Sequence, residues 1–306
     1  MSFRLQGLVA AGFTPMKADG AVNPDRIPEV VEFLVGQPVD GIYVCGSTGE
    51  GPLLSTDERM AVAGAYVAAA AGRLPVVVQV GHSSLAEAQT LAAHAEQIGA
   101  DAISAVAPYY FKPGSGDVLL DCLDEITSAA PKLPFYYYHV PAISGVDLDV
   151  IELLRQVPER VPSLVGVKYT APTLDEMQQL IEYHGHRFDI LHGRDEMLLA
   201  GLAVGAVGAI GSTYNFAAPL YRHLISAFEA GDLEQARQYQ LLAVVMIRAV
   251  LECGGQAALK AAMSLVGPDC GPVRLPLVSL TAEQIAQLQH EFEAIGVFEW
   301  QRFERE

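Results

Sequence analysis

The sequence is short of positive charge. Its 306 residues include 19 Lys and Arg against 36 Asp and Glu, a formal net charge of −17 at pH 7. Nucleic acids and anionic membrane surfaces favour basic proteins, so this balance argues against both as partners. A small anionic substrate is not excluded, because local backbone N–H groups can outweigh distant carboxylates.

Paired cysteines and long hydrophobic segments are also lacking. No Cys-x-x-Cys pair occurs, which argues against a zinc site or a disulfide framework; the cysteines are Cys45, Cys122, Cys253 and Cys270. Cys45 lies beside a candidate site, where it could react or simply fill the core. The longest apolar run, residues 197–210, is too short to cross a bilayer. With no evident signal peptide, we expect a soluble cytoplasmic protein.

Short apolar runs, rich in Val, Ile and Tyr, alternate with longer helical patterns. Several runs are apolar throughout, as expected for parallel strands that are covered on both faces. The predicted strands are Leu8–Phe13, Gly41–Cys45, Val76–Val80, Ala102–Val106, Phe135–His139, Leu164–Lys168, Phe188–His192 and Val207–Ile210.

Residues typical of helix starts fall between these runs. Ser55, Ser84 and Thr173 each precede a Glu three residues later, which is the pattern of a capping box. Asn23 precedes a proline, as an N-cap often does. Eight βα units without a break in composition predict an α/β fold of the (β/α)₈, or TIM-barrel, type. A doubly wound open sheet is the alternative, but no Gly-x-Gly-x-x-Gly follows the first strand.

The strand pattern ends near Ala217, and helical patterns follow. We predict helices at Leu233–Glu252, Gln256–Val266 and Thr281–Ile295. The chain is therefore divided into a barrel that carries the active site, residues 1–216, and C-terminal helices that complete and extend it, residues 217–306.

Lys168 closes one of the hydrophobic runs. Burial disfavours a charged ammonium, and a neutral amine can attack a carbonyl to form a Schiff base. Of the five lysines, only Lys168 ends a plainly hydrophobic strand. The alternative is a lysine whose amine reaches solvent from the strand end, and the segment alone leaves both interpretations open.

Glycines and hydroxyls follow the second predicted strand, in the segment 46–51. The N–H groups of such a tight turn, with the hydroxyls of Ser47 and Thr48, can converge on a carboxylate. An ordinary Gly-rich turn is the alternative. A Walker-type phosphate loop is excluded, because no Gly-Lys-Ser/Thr follows.

Three tyrosines precede His139 at the end of the fifth predicted strand. Alternation places Tyr136 and Tyr138 on one face and Tyr137 on the other. A phenol at the barrel mouth can move a proton, or it can pack in the core, which we prefer for Tyr137. A structural role is preferred for His139 over that of a base.

Asp195 and Glu196 follow the seventh predicted strand. Adjacent carboxylates can accept hydrogen bonds from polyol hydroxyls, bind a divalent metal, or favour a helix N-terminus. Metal is disfavoured, because no other Asp, Glu or His pair ends a neighbouring strand. Ser212 lies in another glycine–hydroxyl turn, after the eighth strand.

Together these motifs resemble a known family over nearly the whole chain. The loop 46–50, Tyr138 before Pro141, and Lys168 two residues before Thr170 are similar to the pyruvate-dependent class I lyases. That superfamily contains the dihydrodipicolinate synthases and the N-acetylneuraminate lyases.

Three segments, 136–146, 193–196 and 211–215, resemble the N-acetylneuraminate lyases closely. Dihydrodipicolinate synthases carry an arginine five residues after the catalytic tyrosine, where this chain has Ile143. The sugar-acid branch is therefore favoured.

The resemblance implies reversible aldol cleavage of N-acetylneuraminate to N-acetylmannosamine and pyruvate. Lys168 would form the Schiff base, Tyr138 would move the proton, and Ser47 and Thr48 would hold the carboxylate. In a homotetramer, Tyr110 from a neighbouring subunit would complete the proton relay. No metal or organic cofactor is implied. The residues expected to bind the hydroxylated tail are Thr170, Gly193, Asp195, Glu196 and Ser212.

Two alternatives belong to other functions. The same chemistry could cleave or dehydrate another 2-keto-3-deoxy sugar acid, since Arg194 and Tyr169 occupy positions where such enzymes vary. A non-catalytic barrel could instead bind a sugar acid as a sensor, although the Lys–Tyr pair argues against it.

Overall fold

Parallel strands form a closed barrel in this protein. A computed structural model describes residues 3–183 and 185–300, and within these ranges eight strands follow one another around the barrel in chain order. The strands are β1 (Gly7–Ala11), β2 (Gly41–Val44), β3 (Val76–Gln79), β4 (Ala102–Val106), β5 (Phe135–His139), β6 (Leu164–Tyr169), β7 (Asp189–His192) and β8 (Gly208–Gly211). β8 pairs in parallel with β1 and closes the ring, which confirms the predicted (β/α)₈ fold.

Helices surround the barrel and continue beyond it. They are α1 (Ile27–Gly36), α2 (Thr56–Ala70), α3 (Leu85–Gln97), α4 (Gly116–Thr127), α5 (Pro141–Ser144), α6 (Val150–Arg160), α7 (Leu174–Tyr183), α8 (Leu198–Ala203), α9 (Tyr214–Glu229), α10 (Leu233–Cys253), α11 (Gln256–Val266), α12 (Ala282–Ile295) and α13 (Val297–Trp300). Short 3-10 helices span Pro24–Arg26, Gly51–Leu53 and Asp195–Met197.

The C-terminal helices α10 to α12 match the prediction to within one residue at each end. Helix α9 crosses the predicted division between residues 216 and 217, and the backbone of Ala217 leaves helical geometry there. The division into two parts stays a prediction, and its residues 1, 2, 184 and 301–306 lie outside the described ranges.

Half of the predicted strand ends coincide with the observed ones, and the others differ by one residue, or by two at the end of β1. β6 continues past Lys168 to Tyr169, because Tyr169 still pairs with His139 of β5 and His192 of β7. Lys168 is therefore the next-to-last residue of its strand. A neighbour on each side consequently fixes its backbone.

The predicted helix caps are only partly correct. Complete capping boxes form at Ser55 and Thr281, and Ser84 accepts a hydrogen bond from the N–H of Glu87. Asn23 occupies the predicted N-cap position before Pro24, but the helix that it starts is a 3-10 turn and its side chain makes no capping hydrogen bond. The hydroxyl of Thr173 lies 2.6 Å from the hydroxyl of Tyr169, and the capping box at Thr173 stays a prediction.

The core has two layers, as a filled barrel requires. One layer lies inside the barrel and consists of Leu5, Val9, Ala11, Tyr43, Val77, Ala102, Tyr136, Leu191 and Ile210. The larger layer lies between the strands and the helices and includes Tyr137. Tyr136 and Tyr137 thus face opposite sides of β5, as the predicted alternation requires.

Cys45 is an inert part of this core. The thiol is buried, and burial raises its pKa to about 11. Because the thiolate is the reactive form, the structure favours core packing over reactivity at this position.

Among residues 3–183 and 185–300, no single helix is long and apolar enough to cross a membrane. Helices α10 and α11 together reach that length and composition, but the chain bends by 117° between them.

Asp189 closes the end of the barrel opposite the candidate site. Its carboxylate is buried and accepts hydrogen bonds from the backbone N–H of Leu5 (3.1 Å) and the hydroxyl of Tyr136 (2.8 Å). Arg4 forms an ion pair with the same carboxylate at 2.8 Å. The N-terminal segment is thereby fastened across the barrel floor.

We expect Asp189→Ala to lower the free energy of unfolding by about 3 kcal/mol, because buried donors lose their acceptor. Urea denaturation measures this difference. The matched control is Asp175→Ala at an exposed position in α7. Equal losses in the two variants would show that the buried carboxylate contributes nothing specific.

Candidate active site

Lys168 points into the barrel near its carboxyl-terminal mouth. Its residue is 5% exposed, and it lies directly opposite Tyr138 in the pairing of β5 with β6. The amine nitrogen lies 4.2 Å from the centre of the Tyr138 ring and 4.3 Å from that of Tyr43. The faces of aromatic rings attract a positive charge, so this nitrogen occupies a place that stabilises a cation. The amine does not extend to bulk solvent.

Tyr138 stands beside the lysine in a small apolar cluster with Val106 and Val140. Its ring meets that of Tyr43 edge-on, with 6.1 Å between the ring centres. Burial raises the pKa of Tyr43 well above its usual value, and the Tyr43 hydroxyl donates to Ser104 at 3.2 Å. Tyr43 is therefore a fixed, uncharged ring next to Lys168, while Tyr138 borders the open cavity.

The glycine–hydroxyl loop after β2 forms a tight turn. Gly51 donates to the carbonyl of Gly46 at 3.0 Å, and a side chain on Gly51 would overlap the carbonyl of Cys45. Within the described residues, the backbone N–H groups of Thr48 and Gly49 make no hydrogen bond. Two unpaired donors in one turn suit an anion.

Thr48 also joins this turn to the loop after β8. Its hydroxyl lies 2.6 Å from that of Ser212. Ser47, in contrast, is exposed at the turn. The two predicted glycine–hydroxyl turns therefore meet at one side of the mouth.

Thr170 and Gly193 form the opposite side. The hydroxyl of Thr170 is buried without a hydrogen-bond partner among the described residues. A side chain on Gly193 would overlap that hydroxyl, so glycine is needed for the close packing. A buried hydroxyl without a partner is available to a ligand.

Asp195 is a buried carboxylate at the mouth. It accepts hydrogen bonds from the N–H (2.9 Å) and the hydroxyl (2.6 Å) of Thr213. Burial raises the pKa of Asp195 to about 6, and the bonds from Thr213 oppose that rise. A side chain on Gly211 would overlap the other carboxylate oxygen.

Glu196 behaves differently from its neighbour. It is half-buried and forms an ion pair with Arg194 at 2.7 Å. Both acids lie in the first turn of a 3-10 helix, where negative charge is favourable.

Within residues 3–183 and 185–300, no cluster of His, Cys, Asp and Glu could hold a metal ion.

A cavity of about 310 Å³ joins these side chains. It brings together the predicted residues Ser47, Thr48, Tyr138, Lys168, Thr170, Gly193, Asp195, Glu196 and Ser212. An apolar wall comes from α5 and α10, with Ile143, Ile247, Val250 and Leu251. Ile143 therefore presents a hydrocarbon to the cavity at the position where the resemblance places the arginine of the dihydrodipicolinate synthases.

Tyr110 is the one predicted residue that does not line this cavity. It is 75% exposed, and its ring packs edge-on against Phe111, which is 86% exposed. A single chain does not bring Tyr110 to Lys168.

Sequence reasoning missed Tyr43, Thr213 and Gln256. Tyr43 contacts the lysine, whereas Thr213 and Gln256 line the cavity. All four residues of β2 are buried, and alternation along the strand does not show which face points into the barrel, so nothing local singled out Tyr43. Nothing in the local sequence of Gln256 connects it with the barrel mouth.

The sequence model of the dihydrodipicolinate synthetase family matches residues 4–295. The chain belongs to this family. The N-acetylneuraminate lyase of Gallus gallus is 43% identical over 297 residues, which are 95% of this chain and 96% of that protein. N-acetylneuraminate lyase A of Xenopus laevis is 44% identical over 280 residues, which are 90% and 92% of the two chains.

A solved structure agrees with this family assignment. The N-acetylneuraminate lyase of Proteus mirabilis superposes with a TM-score of 0.93 at 40% identity, and the match covers 96% of this chain and 100% of that chain. The resemblance predicted from the sequence is confirmed, and the fold is that of the dihydrodipicolinate synthetase family.

His192, the last residue of β7, is close to the candidate site in the chain but does not line the cavity. It is fully buried against Gly201, and neither ring nitrogen has a hydrogen-bond partner among the described residues. Burial lowers its pKa from 6.5 to about 4. His139 is also buried, with its ring stacked on Tyr169, so neither histidine borders the cavity.

Between pH 6.5 and about 4, His192 is protonated in the unfolded chain but stays neutral in the folded chain. Stability is therefore intact above pH 6.5 and is lost as the pH falls. Relative to His192→Leu, we expect the native protein to lose about 2 kcal/mol more between pH 7 and pH 5. Denaturation at both pH values measures this. The exposed His290→Leu should not change the pH dependence, and a parallel decline in all three proteins would contradict the expectation.

Proposed function

We propose that this protein cleaves N-acetylneuraminate reversibly to N-acetylmannosamine and pyruvate through a Schiff base on Lys168. The observation that carries the proposal is the position of the Lys168 amine, between two tyrosine rings in the cavity that also contains the Ser47–Thr48 turn. The choice of N-acetylneuraminate as the substrate is supported by the relatives that are named N-acetylneuraminate lyase.

The first step is attack of the neutral amine of Lys168 on the keto carbon of the open-chain substrate. Loss of water leaves an iminium ion, whose positive charge lies between the rings of Tyr138 and Tyr43. The unpaired N–H groups of Thr48 and Gly49 hold the substrate carboxylate. The keto carbon is thus fixed against the amine before reaction.

The second step breaks the carbon–carbon bond beyond the iminium. Tyr138 accepts the proton from the hydroxyl on the leaving carbon, which becomes the aldehyde of N-acetylmannosamine, while the phenolic proton of Tyr138 passes into the relay that later protonates the enamine. The electron pair of the broken bond enters the iminium and gives an enamine. Protonation of the enamine and hydrolysis release pyruvate and restore Lys168, so the lysine itself serves as the electron sink and no cofactor is needed.

The other side of the cavity binds the hydroxylated tail. The unpaired hydroxyl of Thr170 and the acids Asp195 and Glu196 provide donors and acceptors at suitable positions. Gly193 and Ser212 complete this surface. Another 2-keto-3-deoxy sugar acid is the second candidate, since Arg194 pairs with Glu196 inside the tail region. Pyruvate release from N-acetylneuraminate and from 2-keto-3-deoxygluconate, compared in parallel, distinguishes the two.

Assembly and location form part of the same proposal. The exposed Tyr110 would enter the cavity of a neighbouring subunit and complete the proton relay, which requires an oligomer; a homotetramer is expected. A barrel of residues 1–216 with C-terminal helices 217–306 and a cytoplasmic location are also proposed.

Borohydride reduction in the presence of pyruvate should add one pyruvyl unit at Lys168, because the reductant traps the Schiff base. Peptide mass spectrometry locates the adduct. Lys168→Met should abolish it, whereas Lys132→Met, at an exposed ion pair with Glu96, should not. An unmodified Lys168 in the native protein would refute the mechanism.

Tyr138→Phe should keep the pyruvate adduct and slow cleavage by about 10²–10⁴-fold, because only the proton transfer is lost. Steady-state cleavage of N-acetylneuraminate measures the rate. Tyr137→Phe is the matched control, since that ring faces the helices. Unchanged turnover in Tyr138→Phe would exclude the proton-relay role.

A further inference from the structure

The C-terminal helices touch the two loops that bind opposite ends of the substrate. Gln256, the first residue of α11, donates from its side-chain nitrogen to the carbonyl of Thr48 at 3.0 Å. The carbonyl of Ser47 lies 3.5 Å from the same nitrogen. In a trans peptide the N–H points away from the preceding C=O. Holding these carbonyls on the α11 side therefore directs the N–H groups of Thr48 and Gly49 away from α11.

Lys260, one turn later on the same face of α11, holds the other end of that loop. Its ammonium contacts Glu50 at 2.7 Å, and the side chains of the pair are 1% and 0% exposed. The second oxygen of Glu50 accepts from the backbone N–H of Arg274. α11 thus grips the loop 46–51 at two points, and Gln256 is the point nearest to the cavity.

Gln240 of α10 makes the equivalent contact with the loop after β7. Its side-chain nitrogen donates to the carbonyl of Asp195 at 3.2 Å, and its oxygen accepts from the N–H of Leu199 at 2.8 Å. Both halves of the amide are used, so its orientation is fixed. The backbone that carries the buried carboxylate of Asp195 is thereby held from outside the barrel.

We propose that Gln256 and Gln240 are separate positioning residues, the first for the keto-acid end of the substrate and the second for the hydroxylated tail. The inference rests on the proposed function for the meaning of the two ends. Neither glutamine touches the reacting atoms. Each acts through a backbone carbonyl of its own loop, so its loss affects one end of the substrate and leaves the other in place.

The test compares two identical substitutions, Gln256→Met and Gln240→Met. Methionine keeps the length of the unbranched side chain and removes only the amide. Each variant is the control for the other, since the two share the chemistry and the general cost of the change but not the loop.

Binding is measured separately at the two ends. Pyruvate alone, trapped with borohydride at increasing concentration, reports the keto-acid end; half-saturation should rise about tenfold in Gln256→Met and stay within about twofold in Gln240→Met. In the condensation direction, the KM for N-acetylmannosamine should rise about tenfold only in Gln240→Met. Equal changes in both variants at both ends would overturn the proposal.

Hydrogen exchange tests the contacts without reference to activity. Peptides that cover residues 46–51 should exchange faster only in Gln256→Met, and those that cover 195–199 only in Gln240→Met. Unchanged exchange in both loops would refute the positioning role even if catalysis fell. Loop-specific exchange combined with no pyruvate adduct in the native protein would keep the positioning role and reject the proposed function.

Discussion

The closed pairing of the barrel strands is the constraint on which the site depends. Because β5 and β6 are held in parallel register, Tyr138 lies directly beside Lys168, and both point inward. A shift by one residue would turn both side chains toward the helices. Closure leaves no edge strand that could slide, so the distance between amine and phenol is set by backbone hydrogen bonds along the whole ring rather than by local contacts.

The charged groups at the mouth of the barrel differ in what compensates their charge. Burial raises the pKa of Asp195 to about 6, while the hydroxyl and N–H of Thr213 compensate its charge. Glu196 keeps a cationic partner in Arg194. The Lys168 amine has two aromatic faces instead of a carboxylate. The two ring faces favour a positive charge at this nitrogen, and they remain in place whatever the nitrogen is bonded to.

The strands were predictable because each is a short run rich in apolar residues, and several are apolar throughout, as parallel strands covered on both faces require. The polar residues at the strand ends followed from that assignment, since all carboxyl ends meet at one mouth. Other features depend on contacts between distant segments. The alternation of side chains along β2 does not show which face of the strand points into the barrel, so Tyr43 was missed. Gln256 reaches Thr48 only because α11 turns back over the barrel, and the exposure of Tyr110 depends on how β4 ends.

The sharp bend between α10 and α11 has a consequence for how substrate preference can change. Gly254 and Gly255 occupy it with φ of 147° and 59°, and the chain bends by 117° between the two helices. One helix reaches each side of the mouth from this joint. Mutations at the joint would therefore reshape the cavity while every barrel strand stays intact, so substrate preference could change through helices that lie outside the barrel.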